Sequence, residues 1–427
     1  MALNPGSVIF SLWKKWNQFF RKIKPMSVPK IFELSCQTQN YNWGRKGSSS
    51  LVAQLLKGQS IDENLPYAEL WMGIHPNAPS HVQFGNGEEL AGILQREPKL
   101  LGNYVLNRWG TLPFLFKILS IAQPLSIQMH PDKVWAKQLH LRDPRNYPDD
   151  NHKPEIALCL SDLEALYEFE KKAYLTVFLK RYPFFYHFFL EKYQGSQTKS
   201  NQEVLFQDII PLLMRGSVEE SKILLQQLHM SVKQAALPSE KEKLFLSLYP
   251  KFPEDIGLLF VFFMQKIEIE PNQALFLRAN QLHAYLTGNL AECMANSDNV
   301  IRAGITERYK DIQAMLQKIT YHDDTPQLIS GVLSSEWITD YSSESEEFEL
   351  QIIRVPQNTA AAIQPIIGPS ISLVLSGKGK LIFSDAGTIV EKTLEKGTVL
   401  FISADQTFKI ETSEKMEIVR ALVPNPN

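Results

Sequence analysis

Short apolar runs broken by turn residues fill the chain from about residue 31 to 160. LPFLFKILS (112–120) and PLSIQMH (124–130) are two such runs, divided by Ala122 and Gln123, and HKPEIALCL (152–160) is a third. Strands at this density predict a sandwich or barrel. Between about 170 and 250 the period becomes helical. SVEESKILLQQLHMSVKQA (217–235) opens with Ser217 and Glu220 at capping-box spacing, and Ile223, Leu224, Leu228 and Val232 recur at helical intervals. AYLTVFLKRYPFFYHFFLEKY (173–193) predicts a helix broken near Pro183, with its aromatics in the core. Strands are expected again from 257, with IGLLFVFFM (256–264) as a buried strand and Ile267 and Ile269 alternating around Glu268. RYKDIQAMLQKI (308–319) predicts a short helix, and from about 348 the chain is β-rich, with turns at Gly377 and Gly379. The pattern is that of a mainly β protein with a helical insertion. The two β-rich parts could be barrels of one kind.

Composition narrows the functions. The chain has 427 residues, 44% hydrophobic and 21% charged, as in ordinary soluble proteins. A net charge of -2 argues against a nucleic-acid footprint or a polybasic membrane patch. No run reaches the ~18–20 apolar residues of a membrane span. Cys36, Cys159 and Cys293 are too few and scattered for a disulfide framework, so a reducing, cytoplasmic setting is expected. The first 25 residues, aromatic and basic, differ in character from the sequence beyond Met26. They read as a dispensable extension or as a helix for a membrane surface or partner.

Chemistry first surfaces in LSIQMHPDK (125–133). Residues i and i+2 of a strand share a face, so Gln128 and His130 project together, opposite Ile127 and Met129. Such a pair in a barrel interior needs partners. It could line a polar cavity, act in catalysis or bind a metal. Two other stretches bear on this choice. Glu155 enters an apolar strand directly after Pro154, and a carboxylate there wants a cation. RANQLHAYLTGN (278–289) puts His283 and Tyr285 on one strand face. Gln128, His130, Glu155 and His283 together offer two imidazoles, a carboxylate and an amide, a set suited to zinc with room for a substrate oxygen. His140 and His152 lie in helical or loop-like context and are expected outside that set.

The stretches QNYNWGRKGSSSLVAQLL (39–56), YAELWMGIHP (67–76), LPFLFKILS, LSIQMHPDK, NYPDDNHKPEIAL (146–158) and ANQLHAYLTGNLAECMANSDNVIRAG (279–304) resemble the type I phosphomannose isomerases. These are zinc-dependent enzymes of the cupin class, and the resemblance covers most of the chain from residue 36 on. It implies two cupin-like (jelly-roll) β-barrels with an α-helical insertion. The expected division is an extension at 1–30, a catalytic barrel at 31–165 and 255–330, the insertion at 166–254 and a C-terminal barrel at 331–427. That last barrel lacks a comparable His/Glu set and is expected to bind no metal. The resemblance further implies isomerisation of mannose 6-phosphate and fructose 6-phosphate through an enediol, one zinc per chain and a monomer.

The family's zinc ligands map onto Gln128, His130, Glu155 and His283, and its active-site arginine onto Arg302. Glu292 is a candidate base against a structural carboxylate, and Lys153 a candidate acid or charge partner. Ser126, Lys117 and Lys133 could hold phosphate. Trp43 and Tyr285 could wall the sugar pocket or simply pack. Arg308, in RAGITER, stands where the family commonly has lysine, which keeps the charge for phosphate but changes the proton chemistry. LYEFEKK (166–172) departs from the family's usual Gly-Phe-Arg. The same barrel with two histidines and a carboxylate would also suit a ferrous oxygenase. A non-catalytic sugar-phosphate binder is the third reading.

Overall fold

The run FLFKILSI forms the strand Phe114–Ile121, buried along its whole length in the computed structural model, which describes residues 28–193 and 205–426. The expectations for residues 1–25 fall outside these. Burial on both faces explains why the strand reads as a continuous apolar run. It lies between Glu69–Met72 and the long strand His283–Ala295. Beyond the latter come Glu155–Cys159, Gln273–Leu277 and Leu328–Ser330, and at the other edge Gln37–Gln39.

The two faces of this sheet differ. Phe114, Phe116, Ile118, Ile156, Leu158, Ala291 and Cys293 pack against Leu350, Ile352, Leu373, Val419 and Ala421 of a second sheet. The opposite face carries Lys117, Glu155 and Glu292. The strand His283–Ala295 serves two layers. Residues 288–295 pair with Phe114–Ile121, while residues 283–287 pair with Ile127–Met129 and Leu163–Phe169. Gly288, at φ +136°, marks the change. A Cβ there would come within 2.7 Å of the Asp162 carbonyl oxygen, so glycine is required. Ile301–Gly304 joins Ile127–Met129, and Met264–Ile269 joins Leu163–Phe169.

The second sheet runs Val332–Leu333, Ile338–Tyr341, Glu349–Val355, Met416–Leu422, Ser370–Ser376, Val399–Ile402, Ile31–Ser35 and His81–Val82. Ile31–Ser35, expected with the first barrel, therefore pairs into the C-terminal sheet. A four-stranded sheet, Ala360–Ile363, Phe408–Thr412, Lys378–Asp385 and Thr388–Glu395, covers its other face. The protein is mainly β, as expected. The sheets are antiparallel and stay open rather than closing into rings.

Helices Lys172–Arg181, Pro183–Tyr193, Phe206–Met214, Val218–Lys233 and Glu240–Leu248 form the insertion. The break falls at Pro183, and the Ser217 capping box forms in both directions. Ile223, expected inside, is exposed, and Leu225 is buried in its place. IGLLFVFFM is also not a strand. It forms the short turns Ile256–Leu259 and Phe260–Phe263, started by Asp255, whose side chain accepts from Gly257 N. Eight of its nine residues pack in one core with the helices, and a run apolar on every side carries no period to separate strand from helix. The short helix expected at 308–319 spans Ile312–Lys318 and is capped by Asp311.

Glu168 occupies a register shift in Leu163–Phe169 at φ +45° and is 1% exposed. Neither carboxylate oxygen has a hydrogen-bond partner, and burial pushes its pKa up to about 8 against a partial pull from Gln281. The folded state then binds this proton more tightly than the unfolded chain. Its stabilising effect is complete below about pH 4.5 and is lost as pH rises toward 8. Glu168→Gly removes both the strained backbone and the unpaired acid. It should raise stability at pH 8 by about 1–3 kcal/mol, with a smaller gain at acid pH. Urea unfolding at the two pH values checks this, and an equal or reversed difference contradicts it.

Candidate metal centre

Backbone pairing brings the expected metal ligands together. Gln128 is the cross-strand partner of His283 on one side and of Arg302 on the other. His130 directly follows that strand, and Glu155 opens its own. Ile127 and Met129 point away into the core shared with the helices, as the alternation predicted. The donor atoms of His130, Glu155 and His283 all lie within 4.8 Å of one another. His130 Nε2 is 3.3 Å from Glu155 Oε1, and His283 Nε2 is 3.6 Å from Glu155 Oε2. All three residues are buried.

Each imidazole is oriented by a backbone carbonyl. His130 Nδ1 donates to Asn299 O at 2.8 Å and His283 Nδ1 to Gln281 O at 3.0 Å, which leaves both Nε2 lone pairs facing inward. His130 Nε2, His283 Nε2 and Glu155 Oε2 have no hydrogen-bond partner. Buried acceptors that face one another without a donor are costly unless a cation joins them, so this donor set fits a divalent metal. Burial lowers the pKa of both imidazoles, that of His283 to about 4. Burial alone would raise the Glu155 pKa. Lys153, at 3.1 Å, opposes it and holds the carboxylate ionised. Neutral imidazoles and an ionised carboxylate are the forms that bind metal.

A second charged group adjoins the first. Lys117 is buried between its register partners Trp71 and Glu292. Its ammonium lies 3.5 Å from Glu292, 3.8 Å from Glu69 and 4.5 Å from the centre of the Trp71 ring. The Trp71 indole donates to Glu69. Burial lowers the Lys117 pKa, but Glu69, Glu292 and Glu155 together outweigh it and raise the pKa above the usual lysine value. Burial, reinforced by the charge of Glu155, pushes the Glu292 pKa up to about 7 against Lys117 and Lys153. Tyr285 is buried close to His283, with ring centres 6.1 Å apart, and its hydroxyl lacks a partner.

Arg302 is half-buried. Burial, and after it the neighbouring Arg308, lower its pKa against a smaller opposing effect of Tyr147. Arg308 is exposed, and burial and Glu69 raise the Tyr41 pKa against the smaller opposing effects of Lys117 and Arg308. Tyr41 stacks on Trp43 at 5.8 Å. Ser126 is half-buried, and alternation puts it on the Gln128 face. Lys133 is exposed at the first position of the helix Lys133–Arg142. His152 pairs with Glu347 at 2.8 Å and His140 with Tyr147 O at 2.7 Å, so neither joins the donor set.

Asn299, Glu69 and Trp71 were not singled out from sequence. Asn299 supplies the His130 carbonyl, and its amide holds Asp149 O and Asn151 O at 2.8 and 2.9 Å. No periodicity marks a residue that works through its backbone. Glu69 and Trp71 sit in a fully buried strand, where an acid between apolar residues was the available signal.

Fold and donor set define a mononuclear metal site on a mainly β scaffold. The family model for the phosphomannose isomerase type I catalytic domain matches residues 31–172. The chain is 37% identical to mannose-6-phosphate isomerase 1 of Arabidopsis thaliana, over 92% of this chain and 94% of that protein. It is 34% identical to the Homo sapiens mannose-6-phosphate isomerase, over 92% and 98%. The Salmonella typhimurium mannose 6-phosphate isomerase, bound to fructose 6-phosphate and zinc, superposes with a TM-score of 0.77 at 26% identity, over 93% of this chain and all of that one. The chain belongs to the type I phosphomannose isomerases, a family of isomerases.

Two substitutions probe how the donors are held. His283→Ala should abolish stable zinc binding. Asn299→Ala, which frees the segment that orients His130, should weaken it about 10–100-fold. Competition against a chromogenic chelator measures both, and wild-type affinity in Asn299→Ala would exclude the orienting role.

Proposed function

We propose that this chain interconverts mannose 6-phosphate and fructose 6-phosphate by moving a proton between C1 and C2 through an enediol, with one zinc per chain held by Gln128, His130, Glu155 and His283. The carrying observation is the meeting of orphaned donor atoms on His130, Glu155 and His283 with a half-buried arginine one strand away, in a chain of this family. Zinc, when bound, would polarise the sugar oxygens.

The protein's own groups supply the remainder. Glu292, with its pKa raised toward neutrality, suits the base that takes the carbon-bound proton and returns it to the adjacent carbon. Lys117 is its counter-charge rather than a free phosphate group, because two carboxylates already hold the ammonium. Lys153 balances Glu155 and serves as acid at the sugar oxygens. Arg302 steadies the developing enediolate oxygen, and its permanent charge keeps it out of proton traffic. Arg308, Ser126 and Lys133 receive the phosphate, and Trp43 and Tyr285 wall the sugar.

The two β units are proposed as cupin-like jelly rolls, which as paired sheets do not need closed hydrogen-bonded rings. The first comprises 31–165 and 255–330 with the insertion at 166–254, and the second 331–427. The strand Ile31–Ser35 lends its backbone to the second unit. A cytoplasmic monomer that supplies GDP-mannose biosynthesis is the setting we propose. The three free cysteines, two of them buried, support the reducing compartment. A ferrous oxygenase is not favoured, because the relatives are named as isomerases.

A coupled assay with mannose 6-phosphate tests the activity. Turnover should vanish with a chelator, return with zinc and consume no oxygen. The two arginines should separate kinetically. Arg302→Lys should lower kcat by about 10²–10³-fold, because an ammonium does not replace an oriented fork where charge develops. Arg308→Lys should mainly raise KM, and mildly, since phosphate accepts a point charge. A collapse of kcat in Arg308→Lys with little change in Arg302→Lys would reverse the two assignments.

A further inference from the structure

One transverse row inside the C-terminal pair of sheets is polar. Asp340, Gln351, Arg420 and Ser372 are successive register partners across the strands Ile338–Tyr341, Glu349–Val355, Met416–Leu422 and Ser370–Ser376. Two residues along the same strand faces come Ile353, Ile418 and Val374, which pack on the four-stranded sheet, so the row faces the interior. Gln351, Arg420 and Ser372 are 8%, 1% and 4% exposed. Arg420 Nε donates to Ser370 Oγ at 2.9 Å, and the guanidinium lies 5.8 Å from the centre of the Phe408 ring. Asp340 Oδ1, Gln351 Oε1, Ser372 Oγ and Arg420 Nη2 are all buried without a hydrogen-bond partner. Unsatisfied atoms on four neighbouring strands are rare in a folded interior. Gln351 and Arg420 line a cavity of about 320 Å³ whose walls include Trp337, Pro365, Ile366 and Glu336.

We propose that this cavity binds a neutral, polyhydroxylated molecule of monosaccharide size. Of this row, Gln351 and Arg420 line the cavity, and their free atoms are opposite in character: Gln351 Oε1 can only accept and Arg420 Nη2 can only donate. A hydroxyl both donates and accepts, so adjacent hydroxyls on one ring satisfy the two together. Trp337, Pro365 and Ile366 offer an apolar wall for the C–H face of such a ring. Charge disfavours the alternatives. An anion would gain Arg420 but face Glu336, and a cation would meet Arg420. The volume is at the small end of ligand pockets. None of the metal donors lines this cavity, so the proposal stands apart from the isomerase site.

Calorimetric titration of the zinc-loaded full chain with D-mannose, D-glucose and sorbitol tests it. Saturable binding at millimolar concentration is expected for at least one of them, together with a rise in Tm on adding that sugar. Gln351→Leu and Trp337→Ala should each weaken binding at least tenfold while leaving mannose 6-phosphate turnover unchanged. Arg302→Lys, at the other site, should leave it intact. Trp337 is half-exposed on the cavity wall, so its variant remains informative if Gln351→Leu does not fold. Absence of saturable binding up to tens of millimolar overturns the proposal. So does binding that survives both cavity variants, or displacement of the sugar by inorganic phosphate.

Discussion

The arrangement of the catalytic half turns on three buried acceptor atoms that face one another in a dry interior. His130 Nε2, His283 Nε2 and a Glu155 oxygen repel across a few ångströms unless a cation joins them. Holding them there takes rigid backbone on every side. His130 leans on the Asn299 carbonyl and His283 on that of Gln281, while the Asn299 amide ties down the chain around Asp149 and Asn151. The strand His283–Ala295 must bend at Gly288 to present His283 to one layer and Glu292 to the other. Lys153 and Lys117 neutralise the carboxylates that would otherwise crowd the same space. The charges are graded by their surroundings: Lys153 holds Glu155 ionised, while burial and the charge of Glu155 raise the Glu292 pKa to about 7.

The legible part of this site was local. Gln128 and His130 declared themselves by alternation against Ile127 and Met129, and Glu155 by its intrusion into an apolar strand. Their meeting with His283 and Arg302 depends on register between strands more than a hundred residues apart, which no single-sequence pattern encodes. Resemblance to a family supplied it. Asn299 stayed hidden because the atom that matters for His130 belongs to the backbone. The pairing of Lys117 with Glu69 and Glu292 stayed hidden because lysine in a strand gives no hint of two carboxylates arriving from other strands.

The fold shows the same division. The capping box at Ser217 and the break at Pro183 are local chemistry and appear where expected. Ile223 and Leu225 exchange roles because the buried stripe is set by what the helix meets rather than by its own period alone. IGLLFVFFM defeated the reading for a related reason, since burial on every side erases the period that distinguishes helix from strand. Glu168 conflicts with its site on backbone, burial and pairing at once, and nothing in local propensity predicts it.

The strand Ile31–Ser35 lies between Val399–Ile402 and His81–Val82, so the beginning and end of the chain share one sheet. During synthesis this early strand finds His81–Val82 soon after it is made, but its second partner, Val399–Ile402, comes more than three hundred residues later. Until then Phe32 and Phe116, and the whole apolar face between the sheets, lack their covering layer. A chain cut short anywhere before residue 399 leaves an open strand edge beside exposed aromatics, the combination most prone to pair with a neighbouring chain.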